Sequence, residues 1–523
     1  MIMFENEYTW GNAVSQGKEN EFHLKFEDAV KSIKQQFGKN YPAIIGGKQI
    51  FSDSTFDVTS PSDTRIVLGT FPKLTISQTN DAILSAKNAF PKWASTSYQD
   101  RVKIFNQTAD EFSKIKFELA AWLSFENGKT RVEAMGDVDE SIDFMRFYSY
   151  QLEKNEGFCK QTPHPNPHEK TRTVLKPYGV WGIIAPFNFP SAIAIGMTTG
   201  ALLTGNTAVL KPASAAPISS YFFVKNILDK LPEGAINFVT GEGNTVGRAI
   251  IESQDVEGIA FTGSRQVGMT GLKKFTEQTS KPFIAEMGGK NPVIVTRNAN
   301  LDKASEGVMR AAFGFGGQKC SACSRVFVQK DISEQFLKKL TEKSKSLKIG
   351  MPWNADTFLG PVINKEAESK FEDAVNLAKK DGKIILGGQK IKNSEYEHGF
   401  FVEPTIVTDL PQDHKLVTEE LFLPFLCVIT YDNFDEAIKL ANKTEYGLTA
   451  GIFSDDSKQI DEFFEKIQAG TVYANRASSA TTAALVQSQP FVGWKSSGTT
   501  GKAAGGENYL QQFLRSQTQT LCD

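Results

Sequence analysis

AVLKPAS (Ala208–Ser214), INFVTG (Ile236–Gly241), GIAFTGS (Gly258–Ser264) and FIAEMGG (Phe283–Gly289), read in order, decide the fold. Each is a short apolar run that ends in Gly, Ser or Pro, as a strand does when it leaves a sheet into a turn. Between them the spacing turns helical. Tyr221, Val224, Ile227, Leu228 and Leu231 share one face, a helix follows Gly243, and another follows Ser264. Strands alternating with helices of this length predict a parallel, doubly wound α/β sheet.

Working outward, a second α/β series starts at Asn291 with PVIVT. It continues through a helix from Leu301, the strand RVFVQK, and a helix carrying Ile332, Phe336, Leu337, Leu340 and Leu347. Two α/β domains in tandem are the simplest arrangement. Upstream, residues 1–40 read as a helical extension with Phe26, Ala29, Val30, Ile33 and Phe37 on one face. Gly46-Gly47 then marks a turn. QTPHPNPHEK (Gln161–Lys170) is too broken for a helix and suggests a turn between two extended arms.

A chain of 523 residues exceeds one ordinary core. Its 58 basic residues against 60 acidic ones leave a formal charge of −2, which gives no reason to expect nucleic acid or an acidic membrane as partner. The N-terminus, MIMFENEYTW, has early acids and no apolar core, so it does not read as a secretory signal. No run of about 18 apolar residues reads as a membrane span. Five cysteines in so long a chain do not make a disulfide scaffold, which favours a reducing, cytoplasmic setting.

Four motifs carry chemistry. In FGFGGQKCSACSR (Phe313–Arg325), glycines crowd the approach to Cys320, Lys319 precedes it and small residues follow. A nucleophilic cysteine needs backbone access and a lowered pKa, and the motif offers both. The alternatives are a buried structural cysteine, a Cys320–Cys323 redox pair, or half of a zinc site. The zinc alternative lacks a second CxxC, and the five histidines are scattered, so no metal site is expected. Glu286, in IAEMGGKNP, lies where open α/β sheets place their sites. It reads as a general base or as a solvated glutamate before a turn. Asn188, in PFNFP (Pro186–Pro190), reads as an oxyanion donor or as the cap of a Pro-rich loop. The standard GxGxxG fingerprint is missing. GEGNTVG, with Gly243 and Gly247, has the wrong spacing. Phe261 to Ser264, before a helix, and Lys211 keep nucleotide binding open.

Taken together, PFNFP, LKPAS, FTGS, EMGGKNP, GQKC, EELFLP, ANKTEYGLTAGIF and FVGWKSSGTTG resemble, in order and spacing, the signature series of the aldehyde dehydrogenase superfamily. The resemblance runs from about residue 40 to the end. It implies an aldehyde dehydrogenase-like α/β fold, with two Rossmann-like α/β domains and a small β oligomerisation arm. The dinucleotide-binding domain would span 41–157 and 179–288, the catalytic domain 289–487, and the arm 158–178 and 488–523. It also implies roles. Cys320 attacks the aldehyde, Asn188 and the Cys320 N–H hold the oxyanion, and Glu286 activates water. Lys211 meets the adenine ribose of NAD or NADP, Ser264 the pyrophosphate, and Glu420 with Phe422 the nicotinamide end. Gly243, Gly247 and Phe261 belong to the same cofactor site. A homo-oligomer acting on a small-molecule aldehyde is expected.

Within the superfamily, the extension leading into YPAIIGGK, Ser321 after the cysteine, and the loop TTAALVQSQPF (Thr481–Phe491) resemble the L-glutamate γ-semialdehyde, or 1-pyrroline-5-carboxylate, dehydrogenases. By that resemblance, Ser321 and the amides near Ala483 and Ala484 hold the substrate α-carboxylate, and Phe189 walls the pocket. Three departures stand out. Ser214 occupies the position where the family usually has Glu, which leaves room for a 2′-phosphate. Leu423 and Val492 replace family glycines, and Ala483 replaces the glycine usual in the anchor loop. Another semialdehyde or glyceraldehyde is the alternative substrate, and a non-catalytic protein of the same fold is the alternative class.

Overall fold

The computed structural model describes residues 4–163, 166–277, 280–477 and 485–522. Two seven-stranded sheets organise the chain. The first runs, edge to edge, Phe283–Glu286, Val256–Thr262, Val180–Ile184, Thr207–Lys211, Ile236–Phe238, Ala43–Ile45 and Lys48–Ile50. The first five strands are parallel. The last two form an antiparallel hairpin closed by Gly46 and Gly47 at φ +57° and +74°, the left-handed pair that matches strand twist. Register brings Lys211 level with Ile184, Ile184 with Phe261, and Thr262 with Glu286. The carboxyl ends of four strands therefore open on one crevice.

The second sheet runs Lys383–Leu386, Thr405–Thr408, Phe425–Tyr431, Cys323–Gln329, Asn291–Val295, Thr449–Phe453 and Thr471–Ala474, parallel except at its first pair. Cys320 and Glu420 precede strands Cys323–Gln329 and Phe425–Tyr431, so this sheet offers strand beginnings where the first offers strand ends. The α/β fold expected from the sequence is the one observed. A third sheet pairs Glu169–Pro177 with Cys159–Thr162 on one side and, over nine residues, with Leu514–Cys522 on the other, all antiparallel.

The expected helix through Leu231 is shorter. It spans Ile218–Ile227, and Leu228–Lys230 tighten into a 3-10 turn before Pro232. A proline cannot extend the helical ladder, so the chain leaves early. After Gly243 the chain first makes a π-turn, Gly243–Gly247, and only then a short helix, Arg248–Glu252.

The N-terminal helix Glu19–Lys34 buries Phe22, Phe26, Ala29, Val30 and Ile33 in the main core. Phe26 is fully buried, and the Arg131 guanidinium lies 5.1 Å from its ring centre. Phe26→Ala removes this contact and leaves a cavity, so stability should fall by about 3–5 kcal/mol, read as a lower urea midpoint.

Candidate active site

Two cavities meet at Cys320. One, of about 80 Å³, is lined by Glu140, Phe189, Glu286, Ser321, Phe491 and Tyr509 among others. The second, a cleft of about 490 Å³, runs past Asn188, Ala213, Ser264, Glu420 and Phe422. Cys320, Phe261 and Met287 line both.

The Cys320 loop is held from behind. After helix Leu301–Phe313, Phe315, Gly316 and Gly317 all take left-handed φ, which turns the chain sharply toward the crevice. Gln318 is fully buried. Its Nε2 donates to the Phe315 and Pro361 carbonyls, and its Oε1 accepts from Ile363 N–H at 2.9 Å. Asn291 Nδ2 donates to the carbonyls of Cys320 at 2.7 Å and Ala322 at 3.0 Å, while its Oδ1 accepts from Thr449 N–H. A side chain at Gly289 would sit 2.6 Å from the Cys320 carbonyl oxygen, so only glycine allows the two motifs to touch. Gln318 and Asn291 were not singled out from sequence. Each lay inside a quoted motif, but an amide's buried partners are long-range facts.

The expected lowering of the thiol pKa is corrected. Lys319 turns away and pairs with Glu133 at 2.7 Å. Burial, then the charges of Glu420 and Glu286, push the Cys320 thiol well up, against backbone hydrogen bonds from Ser321 and Cys320 itself. The thiol is therefore neutral and needs a base. Burial also pushes Glu286 up, to about 8, although the Gly493 N–H donates to its Oε2 at 3.1 Å and opposes the rise. Gly493 follows Val492, so the departure from the family pattern sits beside the residue that orients the base. Cys323 faces elsewhere, its Sγ on the Arg325 carbonyl, and all five cysteines are free.

Asn188 is buried in the loop between strand Val180–Ile184 and helix Ala192–Leu203 and lines the cleft. Behind that loop lies a buried ion pair, Lys129 Nζ to Asp137 Oδ2 at 2.8 Å, both side chains fully enclosed. Asp137 Oδ1 also accepts the Ala192 N–H at 2.7 Å. The Lys129 ammonium stands 3.5 Å from the Phe189 ring centre and 5.1 Å from that of Phe315. One carboxylate thus ties the Asn188 loop to the approach of the Cys320 loop.

The cleft suits a dinucleotide. Lys211 Nζ is buried with one hydrogen bond among the described residues, to the Pro212 carbonyl at 3.1 Å, which leaves donors free. Burial lowers its pKa to about 8. Ser264 caps helix Arg265–Phe275 and lines the cleft with Gly263 and Val267, so an amide-rich helix start faces it. Glu420 accepts the Gly289 N–H at 2.9 Å. Phe422, at φ +62°, packs edge-on to Phe187, and Leu423 is buried beside it. Ser214 donates to the Gly241 carbonyl at 3.0 Å. Lys211, Ser214, Gly243 and Gly247 do not line the cleft themselves, although Lys211 is level with Ile184 and Ser214 follows Ala213, both of which do. Gly247 packs on the Lys211 stem, and Gly243 has open space beside it.

Ser321 and Phe189 line the smaller cavity as expected of substrate residues, whereas Ala483 and Ala484 lie outside the described residues. Glu140 was missed. It sits in helix Arg131–Lys154 among other acids, where sequence gave no reason to choose it. Burial holds its carboxyl well above the usual range.

The sequence profile of the aldehyde dehydrogenase family matches residues 50–519. The chain belongs to the aldehyde dehydrogenase family. It is 36% identical over 504 residues to 1-pyrroline-5-carboxylate dehydrogenase of Oceanobacillus iheyensis, covering 95% of each chain. Among solved structures it is similar to a 1-pyrroline-5-carboxylate dehydrogenase from Thermus with bound NAD, at TM-score 0.93 and 32% identity, with both chains fully covered. It also matches proline utilization A from Bdellovibrio bacteriovorus, at TM-score 0.92 and 35% identity, over 99% of this chain and 53% of that one. Among the described residues, no group of His, Cys, Asp and Glu is placed to hold a metal ion, and no helix is long and apolar enough to cross a membrane.

Asp137→Asn would strand the Lys129 charge in the interior. Stability should drop by about 3–5 kcal/mol, measured by urea unfolding. Lys129→Met with Asp137→Leu together should restore part of it, since the two charges vanish together while the buried Ala192 N–H still loses its acceptor.

Proposed function

We propose that this aldehyde dehydrogenase oxidises L-glutamate γ-semialdehyde to L-glutamate with NAD(P)+. The observation that carries the reading is the small cavity. It opens on the Cys320 thiol and Glu286, has aromatic walls at Phe189 and Phe491, and holds a carboxyl group, Glu140, with a serine, Ser321. A short aldehyde carrying both an ammonium and a carboxylate matches that lining. Glu140 receives the ammonium, whose charge restores the ionised state that burial opposes. Ser321 donates to the α-carboxylate. The curated relatives, named 1-pyrroline-5-carboxylate dehydrogenase along nearly their full length, support the same substrate.

The steps follow from the geometry. Glu286 takes the thiol proton, and Cys320 Sγ bonds to the aldehyde carbon. Asn188 Nδ2 and the Cys320 N–H stabilise the resulting oxyanion. A bound nicotinamide dinucleotide supplies the hydride acceptor for the oxidation. The product is a thioester on Cys320. Glu286 passes the thiol proton on to solvent and, ionised again, removes a proton from water; the water oxygen attacks the acyl carbon, and the thiolate leaves. Ser264 and Glu420 hold the dinucleotide along the cleft, Lys211 meets it from the end of the strand next to Ile184, and Ser214 puts no carboxylate against a 2′-phosphate.

The three-stranded arm, with exposed strand edges at Cys159–Thr162 and Leu514–Cys522, is assigned to pairing with another copy of the chain. The free cysteines support a cytoplasmic enzyme.

Two experiments test the proposal. In a panel of aldehydes, each assayed with NAD+ and with NADP+, kcat/KM should be highest for glutamate semialdehyde, and NADP+ should be used. Equal or better rates with propanal or glyceraldehyde would refute the substrate, and a strong preference for NAD+ would refute the role of Ser214. Hydrolysis should speed up as pH rises through about 8, because the base form of Glu286 fills over that range. Glu286→Gln should lose this limb and slow turnover by at least about 100-fold.

A further inference from the structure

The profile match begins at residue 50, and the first residues of the chain lie ahead of it. Residues 4–9 nevertheless reach the helix and the segment that carry part of the lining of the smaller cavity. Asn6 uses both hydrogens of one amide. Its Nδ2 donates to Asp143 Oδ2 at 3.0 Å and to the Val486 carbonyl at 3.1 Å. Glu7 N–H donates to Asp143 Oδ1 at 2.6 Å, and Thr9 donates twice to Asp139, through N–H at 2.8 Å and Oγ1 at 2.7 Å. Phe4 packs edge-on against Phe147, and Glu7 forms ion pairs with Lys116 and Arg146. The segment is thus fastened at four residues of helix Arg131–Lys154, and Lys116 adds a point outside it. That helix also carries Glu140, Phe144 and Tyr148, three residues of the cavity lining.

On the other side of Asn6, Val486 is fully enclosed and belongs to a segment with its own connections to the cavity. Gln487 N–H donates to the Gly505 carbonyl, Gly505 N–H donates to the Tyr148 hydroxyl, and Phe491 exchanges two backbone hydrogen bonds with Ala504. Tyr148, Phe491 and Ala504 all line the cavity. Arg476 also hydrogen-bonds Gln489. Asn6 joins the helix that supplies Glu140 directly to the segment that supplies Phe491, beside the indirect link through Gly505 and Tyr148 of the same helix.

We infer that Asn6 is a positioning residue for substrate selection: the N-terminal strap clamps segment Leu485–Phe491 to helix Arg131–Lys154 and so sets the spacing of the cavity walls at Glu140 and Phe491. This rests on the substrate reading above, in which Glu140 receives the ammonium of the substrate. A clamp that holds a pocket in its binding geometry lowers the ordering cost of binding and leaves the chemical step alone.

The test is full-length Asn6→Ala, compared with wild type on two substrates and by hydrogen exchange. KM for glutamate semialdehyde should rise roughly five- to tenfold with kcat unchanged, the loss expected for one or two hydrogen bonds. Propanal carries neither the ammonium nor the carboxylate that these walls receive, so its kcat/KM should stay within about twofold. Exchange of the amides in Leu485–Phe491 should accelerate, Gln487 most clearly. An unchanged KM, an equal loss on both substrates, or unchanged exchange would each overturn the assignment. Should wild type itself favour propanal, the substrate reading fails instead, and the exchange experiment still decides whether the strap holds the segment.

Discussion

A thiol at the junction of two cavities, surrounded by protein and facing two carboxyl groups, is a poor acid, and the rest of the site answers to that fact. Burial and the charges of Glu420 and Glu286 keep Cys320 protonated. In the proposed reaction the nucleophile therefore depends on a base close by, and burial brings Glu286 to about 8, which suits it to accept and release a proton near neutrality. Were Cys320 freely solvated, the thiolate would form more easily but would also be open to oxidation and to water competing for its intermediates. The enclosure exchanges intrinsic acidity for control over when the sulfur becomes reactive.

That exchange is useful only if Cys320, Glu286 and Asn188 keep their places, and each is held by backbone. Asn291 grips the Cys320 carbonyl, Gly493 N–H grips Glu286, and Asp137 grips the start of the helix that follows Asn188. These anchors come from the second large sheet, from helix Arg131–Lys154 and from the loop after residue 484. Cys320 and Asn188 sit on loops and Glu286 at a strand end, and their positions are imposed by the strands and helices behind them. Helix Arg131–Lys154 has a special part: Glu133, Asp137, Glu140 and Asp143 point from one rod toward the nucleophile loop, the oxyanion loop, the small cavity and the N-terminal strap.

The same geometry separates the two cavities by task. The larger cleft follows strand ends and a helix start, features that suit a phosphate-bearing cofactor through backbone groups shared by the whole family. The smaller cavity is walled by side chains from distant parts of the chain, and such walls can change without disturbing the first. Selection of the aldehyde can therefore diverge while the chemistry at Cys320 stays the same.

Local signals in the sequence determined the alternation of strand and helix, the α/β class, and the positions of Cys320, Glu286, Asn188, Lys211 and Ser264 at turns after or before strands. Those signals are short-range: apolar period, glycine at strand ends, proline around a loop. They also placed the extended arms around Gln161–Lys170, because proline breaks helices wherever it falls. Only the tertiary structure decided which of several glutamates faces the cavity, since Glu140 shares its helix with similar acids and only packing separates them. It also decided that Lys319 serves Glu133 instead of the thiol, that Gly243 and Gly247 stand outside the cleft, and that residues 4–9 reach a segment 480 positions away. Charge and burial act through space, so a pKa, an ion pair or a clamp exists only once the chain has brought its distant partners together.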